Sequence, residues 1–319
     1  MNTRSDIPRE VNNFYDRTLL MRAVPLFVHT RWAQVRDIPQ NAGTNTIKFR
    51  RYSNLAAATT PLSEGVTPAG ASLVTTEVTA TVAQYGDYIT VSDVVSYESP
   101  DPVLTEGAQI LGDQAGDTLD QLTRDILAAG TNVLYANGTG NIDVGSTHKI
   151  SVTLIDQAVR TLKNGKAKRM LSMINPSTGY NTTPLDAAFV GIVHPDTTFD
   201  LQLLTGWVPV EKYPTNRGVM EGEVGALHQV RFVETTNAKV FTGEGASAID
   251  VYGTLIFGMD AYGTTRISGK AMENIIKPLG SAGAADPLNQ RATSGWKATF
   301  VAKILNNDFI IRIAHAVSA

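Results

Sequence analysis

The sequence predicts an α+β fold in which a long projecting β-hairpin and one very long helix precede a mixed region of helices and strands. Three observations indicate this fold class. Residues 46–52 and 74–85 have the pattern of extended strands, and the stretch between them has almost nothing to bury. Residues 104–133 carry apolar side chains at spacings of three and four, which is typical of one helical stripe. Beyond residue 141, short apolar runs alternate with helical patterns.

The N-terminal part predicts a helix followed by the hairpin. Residues 11–34 favour a short, imperfect helix, which Pro25 would break or kink because its ring clashes with the preceding turn. In the second hairpin strand, Val78, Ala80 and Val82 point to one face, and threonines lie between them. The tip that joins the two strands exceeds the roughly 12–15 residues beyond which loops are usually functional or disordered.

The extended pattern continues through residues 85–95, where Gly86 indicates a bend or a bulge. Asp101 and Pro102 then suit the N-cap and the first position of the long helix. A helix continuous to Tyr135 would be about 50 Å long, since each residue adds 1.5 Å. The helix contains three glycines, which predict close approach of a packed strand or helix: Gly107, Gly112 and Gly116.

The remaining chain predicts a mixed α/β region that ends in a strand pair. Residues 154–164 favour an amphipathic helix that ends at Gly165, and residues 187–193 favour a buried strand before a helix from Pro195. Short strands follow between residues 222 and 268. At the C-terminus, residues 296–305 and 309–317 predict a hairpin, because an Asn-Asn-Asp turn joins them and sequential strands usually pair.

The charge distribution indicates complementary surfaces. Charged residues make up 18% of the chain, below the usual quarter, which suits extensive subunit contact. Residues 1–52 hold nine Lys and Arg against four Asp and Glu, whereas residues 53–136 hold only Arg124 against eleven acidic residues. The basic arm would either fold back on its own acidic block or reach that of a neighbour, and charge alone leaves both open.

Composition and motifs point away from catalysis. The chain has no cysteine, which excludes disulfides, thiolate metal sites and cysteine nucleophiles. No apolar run approaches the roughly 18 residues of a membrane helix, and no secretory signal is evident, so we expect a protein made in a cytoplasm. The five histidines lack metal-site spacing, and His194, at a strand end, is only a weak catalytic candidate. We expect no enzyme activity, cofactor or metal, and interpret the Asn-rich residues 137–143 as a turn.

The basic and aromatic residues 48–52 allow two interpretations. Cations beside aromatic side chains suit nucleic-acid binding through backbone contact and base stacking. The alternation of Ile47 and Phe49 with Lys48 and Arg50 instead favours an ordinary half-exposed strand. The net charge of −3 and the lack of a second basic patch favour the strand.

Three blocks carry a family resemblance: residues 46–68, 79–95 and 101–138. Over them the chain resembles the major capsid proteins of tailed bacteriophages, in particular a short-chain family, whose fold herpesvirus capsids and encapsulins share. The resemblance implies an N-terminal arm (1–45), an extended loop over a neighbouring subunit (46–92) and an axial domain (141–265). The peripheral domain would combine residues 93–140, with a spine helix, and residues 266–319, with the C-terminal hairpin.

The resemblance also implies a function. Pentamers and hexamers would form in a bacterial cytoplasm and close an icosahedral shell around double-stranded DNA, without sequence-specific contacts or a membrane. Scaffold, portal and decoration proteins would be further partners. An encapsulin-like compartment is the alternative within the same fold, and a monomeric enzyme is the alternative of a different class. Residues 48–70 would become ordered only in the shell, where Arg50 and Arg51 dock on a neighbour's acidic spine region. The expected inter-subunit contacts are Lys48, Arg50, Arg51, Glu64, Asp113, Asp117 and Asp120.

Overall fold

The computed structural model describes residues 28–62, 64–67, 69–94, 103–215, 218–281 and 286–318, with only the backbone for 103–105. Within these residues the α-helices are α1 (Val103–Ala128), α2 (Val152–Asn164) and α3 (Pro195–Gln202). The strands are β1 (Gln34–Ile38), β2 (Thr46–Tyr52), β3 (Thr75–Thr81), β4 (Ala83–Ser92), β5 (Val133–Tyr135), β6 (Phe189–Val193), β7 (Val208–Pro209), β8 (Glu223–Leu227), β9 (Val230–Glu234), β10 (Val240–Phe241), β11 (Val251–Phe257), β12 (Tyr262–Ile267), β13 (Met272–Lys277), β14 (Arg291–Ile304) and β15 (Ile310–His315).

The smaller sheet is built around the long strand β14. β4 pairs with one edge of β14, and β13 and β12 pair with successive parts of the other edge, while β1 extends the sheet beside β12. Helix α1 covers one face of this sheet with the stripe that the sequence predicts. The buried residues of this contact are Leu111, Ala115 and Leu119 of the helix and Trp296, Ala298, Phe300 and Ala302 of the strand.

The larger sheet has eight strands in the order β5–β15–β11–β6–β9–β8–β7, and β10 pairs with β11. All five residues of β6 are buried, because the sheet is covered on both faces. Phe189 and Val193 point into a core with α2, and Val190 and Ile192 point into a core with Leu127 of α1.

Helix α2 forms where its local signals predict. The Ser151 hydroxyl oxygen accepts a hydrogen bond from the Leu154 N–H at 3.4 Å, which caps the N-terminus. Four apolar residues at helical spacing are buried against the larger sheet: Ile155, Ala158, Val159 and Leu162. Gly165 follows the last turn, as predicted.

The predicted C-terminal hairpin is wrong, because β14 and β15 belong to different sheets. Over residues 293–298, β4 and β13 occupy the two edges of β14, and β12 takes one edge of its last residues, so the chain crosses to the larger sheet and β15 pairs with β11 and β5. The β11–β12 connection crosses between the same sheets. The two crossings touch, since the Leu305 and Asn306 N–H groups donate to the Ala261 carbonyl at 2.9 and 3.1 Å. Residues 266–319 therefore contribute to both sheets.

Other predicted boundaries also change. Helix α1 ends at Ala128 rather than Tyr135, because residues 133–135 pair with β15 as β5; its length is about 39 Å. Strand β4 belongs to the smaller sheet, so the hairpin comprises β2 and β3 alone. The register between β4 and β14 is continuous at Gly86, so the predicted bulge does not occur there. Gly86 instead allows close approach of β14, because a Cβ added to it would lie 2.5 Å from the Trp296 carbonyl oxygen.

The N-terminal helix prediction is only partly covered by the described residues. Residues 28–33 form turns before β1, so a helix does not extend to residue 34. Residues 11–27 and the predicted cap at Asp101 and Pro102 lie outside the described residues. The close packing predicted for helix glycines is confirmed at Gly107, where an added Cβ would clash with the Ile89 side chain.

Candidate subunit-contact surfaces

The predicted hairpin is confirmed as a separate two-stranded sheet. β2 and β3 pair in continuous antiparallel register from Thr46 opposite Thr81 to Tyr52 opposite Thr75. Phe49 is opposite Val78 and lies at the root of the hairpin. It packs near Gly263 of β12, because a Cβ added to Gly263 would lie 3.3 Å from the Phe49 ring. An isolated two-stranded hairpin is at best marginally stable in water. The hairpin therefore requires a packing partner beyond its own ladder.

An ion-pair cluster occupies one face of the hairpin. The carboxylate of Glu77 accepts from Lys48 Nζ at 3.0 Å and lies 3.1 Å from Arg50 Nε. The hydrogen bond and charge of Lys48, with the charge of Arg50, lower the pKa of Glu77. Arg51 and Glu64 are exposed, and neither has a charged partner among the described residues. The predicted contact residues of the hairpin thus all lie at its surface.

The hairpin tip, residues 53–74, exposes apolar side chains. Its described residues are all exposed and form no regular strand. Five large apolar side chains there are between 54% and 78% exposed: Leu55, Leu62, Val66, Leu73 and Val74. Single exposed apolar residues are common, but a cluster in one segment marks an interaction surface.

The predicted acidic stripe of α1 is only partly at the surface. Asp113 and Asp117 are half-buried, and Asp117 accepts hydrogen bonds from the side-chain amides of Asn237 at 2.7 Å and Gln121 at 2.6 Å. Asp120 is fully buried. The prediction that Asp120 is solvated and contacts another subunit is therefore wrong, because it sits on the face of α1 that packs within its own chain.

Asp120 joins the first described residues to the body of the protein. Its carboxylate accepts the backbone N–H groups of Val28 at 3.0 Å and His29 at 2.7 Å, and its second oxygen lies 2.8 Å from His29 Nδ1. Tyr262 donates its hydroxyl to the His29 carbonyl. Burial by itself raises the pKa of Asp120, but the hydrogen bonds and charge of His29 and the Asn237 amide outweigh it and hold that pKa below its ordinary value. At residues 28–29 the chain thus folds back onto its own acidic block.

A groove of about 540 Å³ lies where the hairpin root meets the two crossing connections. Its apolar floor is formed by Ile47, Phe49, Val78, Leu305 and Phe309. Six basic residues line it: Arg36, Lys48, Arg50, Arg51, Lys166 and Lys168. Strand alternation directs the Lys48 and Arg50 side chains to the opposite face of β2, where they pair with Glu77, so the cations of the groove are Arg36, Arg51, Lys166 and Lys168. Asp260 is the one carboxylate among the described lining residues. We call this site the basic groove; sequence patterns missed it because its cations come from three separate segments.

A buried ion pair in the larger sheet was also missed from the sequence. Arg231 of β9 contacts Glu223 of β8 at 2.6 Å, with side chains 2% and 0% exposed, and Tyr213 donates to the same carboxylate at 2.8 Å. Burial and Glu223 raise the pKa of Tyr213 well above its ordinary value. The only sequence signal was an arginine within the apolar run 230–233. The pair joins neighbouring strands and is structural.

The described residues offer little for catalysis or metal binding. They contain no group of three or more His, Asp or Glu side chains arranged to hold a metal ion. His194 caps α3, where its Nδ1 accepts the Asp196 N–H at 3.2 Å. The predicted turn at residues 137–143 is confirmed, with the Asp143 carboxylate accepting backbone N–H groups of Thr139 and Gly140. Of the helices described, none has the length and apolar character needed to span a membrane.

Comparison with known protein families identifies the family to which the chain belongs. A family model described as phage capsid protein matches residues 75–313, from β3 to β15. The chain belongs to the phage capsid protein family. No curated protein sequence matches this capsid protein.

Solved structures show the same fold. The capsid protein of cyanophage Pam1 is 13% identical, with a TM-score of 0.68 over 93% of this chain and 92% of that one. The Ralstonia phage GP4 capsid is 13% identical, with a TM-score of 0.65 over 89% and 87%. The cyanophage P-SCSP1u capsid is 14% identical, with a TM-score of 0.63 over 90% and 87%. The resemblance to the tailed-phage major capsid fold is confirmed, and this phage capsid protein is a structural shell component of the virion.

Proposed function

We propose that this capsid protein assembles as pentamers and hexamers into an icosahedral shell that encloses double-stranded DNA, with the hairpin of each subunit docked on a neighbour. The apolar hairpin tip, which no described part of its own chain covers, carries this proposal. Burial of a Val or Leu side chain contributes roughly 1.5–3 kcal/mol. Ordering the tip costs about 1–2 kcal/mol per residue in backbone entropy, so the tip needs a partner surface to become fixed.

The charges of the hairpin support a neighbouring copy as that partner. Arg51 and Glu64 are exposed, and Lys48 and Arg50 present a shared positive face around Glu77. We propose that Arg50 and Arg51 face the acidic side of a neighbour's α1, where Asp113 and Asp117 reach the surface. Asp120 has no part in this contact because it is buried in its own subunit.

Several roles follow from the shell function. The hairpin would serve as the extended loop, α1 as the spine helix of a peripheral domain, and the larger sheet as most of an axial domain. The chain would act without catalysis, cofactor or sequence-specific DNA binding. Scaffold, portal and decoration proteins would join it in the bacterial cytoplasm before the virion is complete.

Removal of the apolar tip tests this proposal. In a Leu62→Ser, Val66→Ser variant, the free subunit should keep its unfolding midpoint, since both side chains are exposed. Shell yield, measured by size-exclusion chromatography with light scattering and by negative-stain microscopy, should fall by at least about tenfold. Ile142→Ser, at an equally exposed apolar site outside the hairpin, is the matched control. Normal shells from the double variant would rule out docking through the tip.

The contents of the shell separate the phage function from the encapsulin-like alternative. Particles purified from infected cells should protect genome-length double-stranded DNA from nuclease. Shells that instead hold a protein cargo and no protected DNA would favour a compartment, and a chain that stays near 34 kDa would contradict both.

A further inference from the structure

The basic groove combines positive charge with an apolar floor. Lys166 and Lys168 follow α2, Arg36 lies on β1, and Arg51 lies on β2. Glu77 pairs with Lys48 and Arg50 on the other face of the hairpin, and Asp260 is the one carboxylate among the described lining residues, so the groove keeps an excess of positive charge. Such a site suits an acidic partner that also carries an apolar anchor.

A surface with this chemistry lies on the N-terminal half of α1. Glu106, Ile110 and Asp113 are spaced four and three residues apart, so they share one side of the helix. Ile110 is 65% exposed although α1 packs on the smaller sheet with its other face. We call these three residues the acidic ridge. Its one apolar side chain between two carboxylates matches a groove with an apolar floor between cations.

The ridge cannot reach the groove of its own subunit. The C-terminal end of α1 leads to the groove, since a Cβ added to Gly130 would lie 3.2 Å from the Ile304 side chain and the Thr131 N–H donates to the Asn307 side chain, and Leu305, Asn306 and Phe309 line the groove. Glu106 lies 22 residues before Ala128 along α1, which places it about 33 Å away. A contact between ridge and groove must therefore join two subunits.

The described N-terminal turn does not compete for the groove, because it is held by Asp120 on α1. Residues 1–27 carry four Arg against three Asp and Glu, so their net charge is not complementary to a basic site. The acidic block at residues 53–136 is the complementary part of the sequence, and the ridge lies within it.

We propose that the basic groove receives the acidic ridge of a second copy, so that Ile110 enters the apolar floor and Glu106 and Asp113 face Lys166, Lys168 and Arg36. The proposal rests on the proposed shell function and adds a head-to-tail contact at the hairpin root. Because groove and ridge are different surfaces, the contact is heterologous, and such contacts build rings when the rotation closes. This is the symmetry that pentamers and hexamers require.

Cross-linking tests the contact independently of shell yield. The chain has no cysteine, so an Ile110→Cys, Lys168→Cys variant offers only the two intended thiols. With a short bismaleimide, the assembled full-length protein should give a ladder of covalent oligomers up to ring size. An Ile110→Cys, Lys212→Cys variant is the control, since Lys212 is an exposed lysine outside the groove. A ladder no stronger than that of the control would overturn the proposal.

Charge exchange identifies the partner of the groove. Lys168→Glu with Lys166→Asn should lower assembly at least about tenfold, because like charges then face each other. Asn is chosen at position 166 because the backbone φ there is 61°, which Asn tolerates. Glu106→Lys alone should also lower assembly, and its combination with the groove variant should restore most of the yield. Lys212→Glu should leave assembly unchanged.

The outcomes separate this proposal from the shell function. Shells without a ladder, or no recovery in the combined variant, would overturn the ridge contact and leave the shell function standing. A ladder of rings without closed shells would support the contact and contradict the shell function. Groove variants that form normal shells but lose packaged DNA would assign the groove to nucleic acid and overturn the proposal.

Discussion

The larger sheet and the hairpin of this capsid protein differ in how much of their apolar surface is buried within the subunit. The larger sheet is covered on both faces by its own chain, and side chains such as Phe189, Phe232 and Phe257 are fully buried. The hairpin is a two-stranded sheet whose tip exposes five large apolar side chains. The comparison teaches that stability and assembly reside in different regions: the larger sheet stabilises the subunit, whereas the hairpin gains its packing from another molecule.

The largest effect is expected from Phe232→Ala in the larger sheet. Phe232 fills the space above Gly191, where an added Cβ would lie 2.6 Å from its ring. Truncation should destabilise the free subunit by about 3–5 kcal/mol, since it leaves a cavity in a packed core. Urea unfolding of the free subunit measures the change. The tip variant described above should not change this midpoint, and an equal loss in both variants would remove the contrast between the regions.

A smaller, pH-dependent effect is expected at His315 of β15. Its ring is fully buried between the Thr254 hydroxyl and the Ala316 carbonyl, and burial lowers its pKa from 6.5 to about 4. The unfolded chain therefore binds a proton at higher pH than the folded one, so stability should fall as pH drops from 6.5 towards 4. At about 1.4 kcal/mol per pH unit, the loss is roughly 3 kcal/mol.

His315→Gln should flatten this part of the pH profile, because glutamine does not titrate. Urea unfolding between pH 8 and 4 compares the slopes of the two proteins. Asp120 does not confuse the result, since its lowered pKa lies below the ordinary 3.8 and its stabilisation is lost only under stronger acid. Equal slopes would show that the larger sheet is not the acid-sensitive region.

The smallest effect is expected from Glu77→Gln on the hairpin. Its ion pairs with Lys48 and Arg50 are solvent-exposed, and such pairs often contribute nothing measurable to stability. The unfolding midpoint of the free subunit should therefore stay unchanged. Glu223→Gln makes the same substitution in the buried pair with Arg231 and should cost about 3–5 kcal/mol. A large loss at Glu77 would show that the hairpin helps to stabilise the free subunit.

Local patterns predicted the elements whose partners are near in sequence. The β2–β3 register follows from alternation, and α2 follows from its apolar spacing, its Ser151 cap and Gly165. The helical stripe located the buried face of α1, although not its end. Residues 133–135 fit a helical pattern equally well, and only the free edge of β15 makes them a strand.

The wrong predictions concern features that depend on contacts between residues far apart in the sequence. β14 and β15 look like a hairpin because they are adjacent, but both edges of β14 are filled by strands up to about 200 residues away. Asp120 has the spacing of a solvated stripe, but His29, which lies 91 residues earlier, pairs with it in the interior. The basic groove has no sequence signature, since Lys166 and Arg36 meet only in the fold.

The sequence by itself determined that this protein has a hairpin without a core of its own, a long packed helix and an uneven charge, because composition and periodicity act over short distances. Only the tertiary structure decided which strands share a sheet, which acidic residue is buried and which cations converge. These outcomes depend on competition for strand edges and on desolvation, and both are set by the whole fold rather than by neighbours along the chain.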